Sequence, residues 1–253
     1  MEELEARYGL DQPLIVQYKN YMVGVLHGDF GVSLKTDRPI SDIIGESFPI
    51  SAKLGLLAAL VAIVAGVVLG SIAALMRNKW PDRIIVFFVT LITSMPSFVI
   101  ATLLLYFFCI KLGVVQAFNS GSNMVFLPVL SLSLSPMAYI TRLTKTSMLD
   151  ALGQDYIRTA KAKGVSQAKV IFVHGLRNAL IPVITYVGPM IGGILTGSMV
   201  IESIFNIGGL GSKFVSCITN RDYTMIMATT LFLAVIMVFA NLITDIVYKL
   251  VDP

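Results

Sequence analysis

The sequence predicts an all-α, polytopic membrane bundle with five transmembrane helices, and three observations lead there. Of the 253 residues, 56% are hydrophobic and 13% charged, where a soluble domain carries about a quarter charged. The apolar residues fall in long blocks rather than short alternating runs, which favours helical spans over a barrel. Lys and Arg gather in alternate connections between those blocks, as in a chain threaded back and forth through a bilayer. In that setting the net charge of +4 reflects topology and is no sign of nucleic-acid binding.

A helix needs about 20 mostly apolar residues to cross the hydrocarbon core. Residues 1–46 precede the first such block and read as a water-exposed, extracytoplasmic segment. Residues 47–249 then form one membrane domain, with spans at about 54–76, 84–110, 125–147, 179–205 and 225–248. Pro96 falls in the second span, Pro128 and Pro136 in the third, and Pro182 and Pro189 in the fourth. Each removes a backbone donor, and membrane bundles tolerate the resulting kinks; kinks rather than breaks are expected. Gly66 and Gly70, Gly188 and Gly192, and Gly193 and Gly197 recur four residues apart. That spacing lets backbones approach and suits general packing within the bundle better than a dedicated dimer motif.

One set of connections holds eleven Lys and Arg, from Arg77, Lys79 and Arg83 through the 142–177 stretch to Lys249. The opposite set holds three: Lys111, Lys213 and Arg221. The bias places the long third connection and the C-terminus in the cytoplasm. Five spans then put the N-terminal segment outside, although it begins Met-Glu-Glu-Leu-Glu with no apolar run to carry it across. A further helix ahead of this segment, absent from the sequence, is the expected explanation.

Residues 148–178 are the most informative stretch. Good helix formers at 155–163 end at Gly164, where a C-terminal cap can take positive φ. Ser166 can cap the next helix, on which Val170, Ile171, Val173 and Leu176 form an apolar stripe. The result is a compact basic helix–turn–helix below the membrane. Its charges alone could simply mark a solvated loop. A short helix tip presenting Tyr156, Ala160 and small neighbours is equally what a peripheral partner could grip in a groove.

Arg158-Thr-Ala-Lys-Ala-Lys-Gly164, followed by Leu176-Arg-Asn-Ala-Leu-Ile-Pro182, resembles the cytoplasmic signature of binding-protein-dependent ABC importer permeases. The family pattern is Glu-Ala-Ala, three residues, then Gly. Here Arg158 and Thr159 replace its first two residues, while Ala160 and Gly164 keep the pattern. That departure is similar to the oligopeptide, dipeptide and nickel permease branch, as are Tyr8-Gly-Leu-Asp-Gln-Pro13, Gly28-Asp-Phe-Gly-Val-Ser33, Val200-Ile-Glu-Ser-Ile-Phe205, Gly208-Gly-Leu-Gly211 and Asn220-Arg-Asp-Tyr223. Members of the branch usually begin with one more transmembrane helix, in line with the topology.

The resemblance implies a type I ABC importer permease fold in a bacterial or archaeal cytoplasmic membrane. It also implies an ATPase-coupling surface at Tyr156, Arg158, Thr159, Ala160, Gly164, Val165 and Ser166. The implied partners are a second homologous permease, two ABC ATPase subunits and an extracytoplasmic solute-binding protein. This chain would itself be no enzyme and bind no cofactor; ATP would be used by the partners. The implied cargo is di- or oligopeptide, with nickel chelates or glutathione as the alternative.

Other chemistries fit the residues poorly. Gly208-Gly-Leu-Gly-Ser-Lys213 lacks the Gly-Lys-Ser/Thr ending of a phosphate-binding loop. His27 and His174, the two histidines, fall on opposite sides of the membrane and share no metal. A secondary transporter should carry ionisable groups at mid-membrane, and the span centres have none. A non-transporting scaffold is the remaining class. Glu202 and Asp245 lie near span ends: Glu202 either contributes to an outer gate or pathway, or is interfacial near water, as Asp245 is.

Overall fold

The computed structural model describes residues 12–115 and 125–251. Residues 1–11, with Tyr8-Gly-Leu-Asp11 of the N-terminal motif, lie outside the described residues, as do 116–124 and 252–253. The side-chain surroundings of Thr196 and Gly197 are likewise not described. The architecture is helical, and among the described residues the β pairing is limited to an isolated Val32–Pro39 bridge.

Helix α1 (Leu14–Leu26) buries none of its residues. Helix α2 (Ile40–Leu75) is 36 residues long and starts well before the expected boundary at 54. Ile40, Ile43, Ile44, Ser47, Ser51 and Leu54 are buried at helical spacing, while Asp42, Glu46 and Lys53 face outward. The charges dilute the hydropathy of this stretch without interrupting the buried stripe, so the helix runs on past the apolar block.

The second expected span is broken. Helix α3 (Trp80–Ser94) and helix α4 (Ser97–Lys111) meet at an angle of 105°. The residue before a proline is pushed out of the helical region, and Met95 is extended at φ −106°, ψ 137°. The expectation of a kink at Pro96 is therefore corrected to a break. Helix α5 (Phe126–Leu152) carries Pro136 in its interior without interruption, and Pro128 sits in its first turn, where the missing N–H costs nothing.

After α5 the chain forms helix α6 (Asp155–Ala162) and helix α7 (Gln167–Ala179). The fourth expected span is divided into helix α8 (Ile181–Gly197) and helix α9 (Met199–Ile204), separated at Ser198. Helix α7 bends into α8 by 46°. Helix α10 (Leu210–Thr219) is short, and helix α11 (Tyr223–Val251) closes the bundle.

The broadest packing is α2 against α5, followed by α8 against α11. Glycines permit both. A Cβ on Gly66 would stand 2.7 Å from Ile140 Cγ2, and one on Gly70 would stand 2.6 Å from the Thr141 carbonyl. A Cβ on Gly188 would overlap Thr244 of α11. These small residues are thus used inside the protomer, as the sequence suggests. The outward faces remain apolar: Leu60 is 59% and Val238 66% exposed. Removing such surface from water is worth about 25 cal/mol per Å², so lipid or a partner subunit must cover it.

Candidate functional site

The α6–α7 turn occupies one end of the bundle and is built as the sequence suggests. Helix α6 ends at Ala162, and Gly164 takes φ +75°, the left-handed conformation that glycine adopts cheaply. Ser166 occupies the cap position of α7, but its side chain makes no capping hydrogen bond; its carbonyl instead accepts the Val170 amide at 3.0 Å. The expected hydroxyl cap is corrected accordingly.

Two anchors hold α6 to the bundle. Ile157 is fully buried, and the Asn178 amide of α7 donates to the Tyr156 hydroxyl at 3.0 Å. Within α7 the turns at Val170–Leu176 are π-helical. The wider winding places Val170 and Gly175 on the buried side and leaves Val173 44% exposed. Of the expected apolar stripe, Val170 is buried and Ile171 and Leu176 are half-buried, while Val173 turns outward. Gly175 allows the contact, since a Cβ there would stand 2.9 Å from Leu152 of α5.

The remaining residues of the turn face outward. Arg158, Thr159, Gly164 and Ser166 are exposed, and Ala160 and Val165 are half-buried. Arg158 pairs with Asp155 at 3.3 Å, both side chains largely in solvent, which makes the pair worth little. The Thr159 hydroxyl donates to the Asp155 carbonyl at 3.0 Å. The turn therefore presents a small, polar, pre-shaped tip on a firmly seated base.

Close to that end, Asp82 of α3 forms an ion pair with Lys145 of α5, and its second oxygen accepts the Asn78 amide at 2.9 Å. Asp82 is 5% exposed. The sequence suggests only a helix-end anchor for Lys145, because nothing local marks a partner in another helix.

At the opposite end the Gly-rich loop encloses Glu202, which is fully buried. Its carboxylate accepts from the Ser198 hydroxyl and, at 3.0 Å, from the Ser212 amide. The Ser51 hydroxyl accepts the Leu210 amide at 2.8 Å. Together they satisfy two of the free amides at the start of α10. Gly209 and Gly211 lie against this carboxylate, and a Cβ on Gly211 would come within 3.0 Å of it. Burial sets Glu202 apart from the water-exposed interfacial placement considered for it. Asp245 is exposed.

Beside this loop, Asp222 ties the N-terminal segment to α11. It accepts from the Ser33 hydroxyl at 2.5 Å, the Thr224 hydroxyl at 3.0 Å, the Met225 amide at 3.2 Å and the Leu34 amide at 3.3 Å. Burial pushes its carboxyl up, but these donors together hold it below the usual value.

Between the two ends lies a cavity of about 450 Å³, walled by α3, α4, α5, α8 and α9. Thr93, Ser97, Ser135, Tyr139 and Tyr186 bring hydroxyls to it, and the two tyrosine rings stack with centroids 4.3 Å apart. None of these residues stands out in the sequence by motif or spacing. Serine and tyrosine within predicted spans are the signal that was available. Among the described residues no cluster of His, Cys, Asp and Glu is arranged to hold a metal.

A bent, proline-interrupted bundle of helices long and apolar enough to cross a bilayer, with a two-helix projection at one end, defines a multi-pass membrane protein. The chain belongs to the binding-protein-dependent transport system inner membrane component family, whose model matches residues 66–253. It is 47% identical over 255 residues to the dipeptide transport system permease protein DppB of Bacillus subtilis, covering 100% of this chain and 82% of that one. It is 44% identical over 257 residues to the oligopeptide transport system permease protein OppB of Haemophilus influenzae, covering 100% and 84%. In fold it is similar to an amino acid ABC transporter (TM-score 0.67, 14% identity, 83% of this chain and 94% of that one). It is also similar to the inward-facing MetNI methionine ABC transporter (TM-score 0.68, 13% identity, 83% and 97%). The expected family and type I importer permease fold are thereby established.

Proposed function

We propose that this chain is the permease subunit of an ATP-driven importer of di- and oligopeptides. The observation that carries the proposal is similarity along the whole chain to permeases named for those two cargoes. An extracytoplasmic binding protein would deliver the peptide, a second related permease would complete the pore, and two ATPase subunits would supply the energy. The Lys and Arg bias supports a cytoplasmic C-terminus and α6–α7 turn, with residues 1–46 outside and 47–249 forming the membrane domain.

Coupling follows from how the turn is mounted. Tyr156, Arg158, Thr159, Ala160, Gly164, Val165 and Ser166 form the tip that an ATPase cleft would hold. A push on that tip reaches α5 through the short 153–154 connection and through Leu152 against Gly175. It reaches α8 through α7, into which Tyr156 is hydrogen-bonded by Asn178. The Asp82–Lys145 pair then carries α3 along with α5. Closure of the ATPases can in this way rock a packed body of helices rather than flex one loop.

The test is uptake of a radiolabelled dipeptide by proteoliposomes containing this chain with its partner permease, ATPases and binding protein. ATP-dependent accumulation is expected, and it should vanish without the binding protein. Accumulation of a nickel chelate or glutathione in place of any peptide would refute the cargo assignment.

A further inference from the structure

The hydroxyl-lined cavity opens beside the break after α3 and the proline inside α5, with Thr93, Ser97 and Tyr139 exposed around it. The chain turns by 105° after α3, so the last carbonyls of that helix, Thr93's among them, lack the donors of a following turn. Pro136 has no N–H, so the carbonyl of Leu132, four residues earlier, loses its helical donor. Thr93, Leu132 and Pro136 all line this one cavity. Unpaired backbone at membrane depth is tolerated only where it is covered by protein or faces water.

The side chains extend the pattern. Ser97, Ser135, Tyr139 and Tyr186 can each donate and accept, and no Asp, Glu, Lys, Arg or His lines the cavity. One turn from Ser135, the Ser131 hydroxyl is buried without a hydrogen-bond partner. The groove on the other side of α8, about 650 Å³ between α2, α8 and α11, differs sharply. Its one hydroxyl, Thr244, is already bonded to the Ala240 carbonyl at 2.7 Å, as suits a face turned to acyl chains. Of the two, the hydroxyl-lined cavity is the one with polar partners for water.

We infer that this cavity is the chain's contact surface for the passing solute, and that it grips a peptide by its main chain. Freed carbonyls accept peptide N–H groups, and the serine and tyrosine hydroxyls serve peptide carbonyls. This rests on the peptide assignment above and adds which residues touch the cargo and what they ignore. A lining with donors and acceptors but no charge treats passengers alike whatever the charge of their side chains.

The experiment places a charge in the lining. In the assembled transporter, Ser135→Asp should raise import of alanyl-lysine relative to alanyl-glutamate about tenfold, because an uncharged surface becomes charge-selective. An unchanged ratio in an assembled, importing variant would overturn the inference. A second measurement covers failure of that variant to assemble. In a Cys109→Ser, Cys217→Ser background, Ser135→Cys should react with a membrane-impermeant maleimide at least about tenfold faster than Ile243→Cys in the apolar groove. Equal rates would overturn the inference as well. If the wild-type transporter imports no peptide while Ser135→Cys reacts fast, the cargo assignment fails and the wet pathway stands.

Discussion

Replacing Lys145 by methionine should destabilise the protein far more than replacing both members of its ion pair. Asp82 has 7% of its side chain exposed and Lys145 22%. Asp82, nearly enclosed, has little access to water while α3 and α5 stay packed. The methionine keeps the apolar stem of the lysine and removes its charge, leaving a buried carboxylate with only the Asn78 amide as donor. Removing one partner of a buried pair costs roughly 3–5 kcal/mol, and the partial exposure of Lys145 puts this case near the lower end, about 3 kcal/mol. For a chain of this size that corresponds to a fall of roughly 6–12 °C in Tm. Asp82→Asn with Lys145→Met removes the charge as well and still accepts from Asn78, so most of the loss should return. Thermal denaturation of the purified variants in detergent measures both. The reasoning is refuted if the single variant matches wild type, or if the double variant is no better than the single.

Asp222 predicts a pH dependence. Its carboxyl is held below the ordinary value, so its stabilising contribution is fully present above about pH 3.9 and is lost as pH falls towards the lowered value. The Tm gap between wild type and Asp222→Asn should therefore be wide at pH 6 and narrow as pH falls progressively below about 3.9. The glycines predict opposite signs: Gly70→Leu, which meets Thr141 and Thr144, should cost about 3 kcal/mol or more, whereas Gly45→Ala, a helical site with open space, should stabilise by about 0.5–1 kcal/mol. Denaturation curves decide both. Glu202→Ala orphans the Ser212 amide and the Ser198 hydroxyl and should cost about 2 kcal/mol, while Glu202→Gln, which still accepts, should cost less than half as much.

The existence of the spans is legible because bilayers demand long apolar runs, and no soluble core explains so many of them. Their ends are less so. Hydropathy missed the start of α2 because it averages over Asp42, Glu46 and Lys53, although the buried stripe from Ile40 to Leu54 keeps a helical period that could have been read. Pro96 and Pro136 have the same chemistry, yet one breaks a helix and the other does not. The difference lies in Met95 leaving the helical region, which packing around the cavity decides. The α6–α7 turn was legible down to Gly164, since a positive-φ cap is a local matter. Glu202 was not: Ser198 is local, but the Ser212 amide and the glycines that approach the carboxylate come from the loop folding back on α9, and Ser51 joins from α2. Likewise the link from Asp82 to Lys145 spans three elements and leaves no local trace.

The central claim is that the α6–α7 turn couples this permease to an ATPase. Co-purification of the chain and its partner permease with the cognate ATPase tests it most directly, comparing wild type with an Ala160→Glu, Gly164→Pro variant. Gly164 at φ +75° cannot accommodate proline without reshaping the turn, while Ile157, Val170 and Gly175 still seat its base. Wild type should retain the ATPase and the variant should lose it, with both showing similar melting of the membrane bundle. Full retention by the variant would contradict the claim.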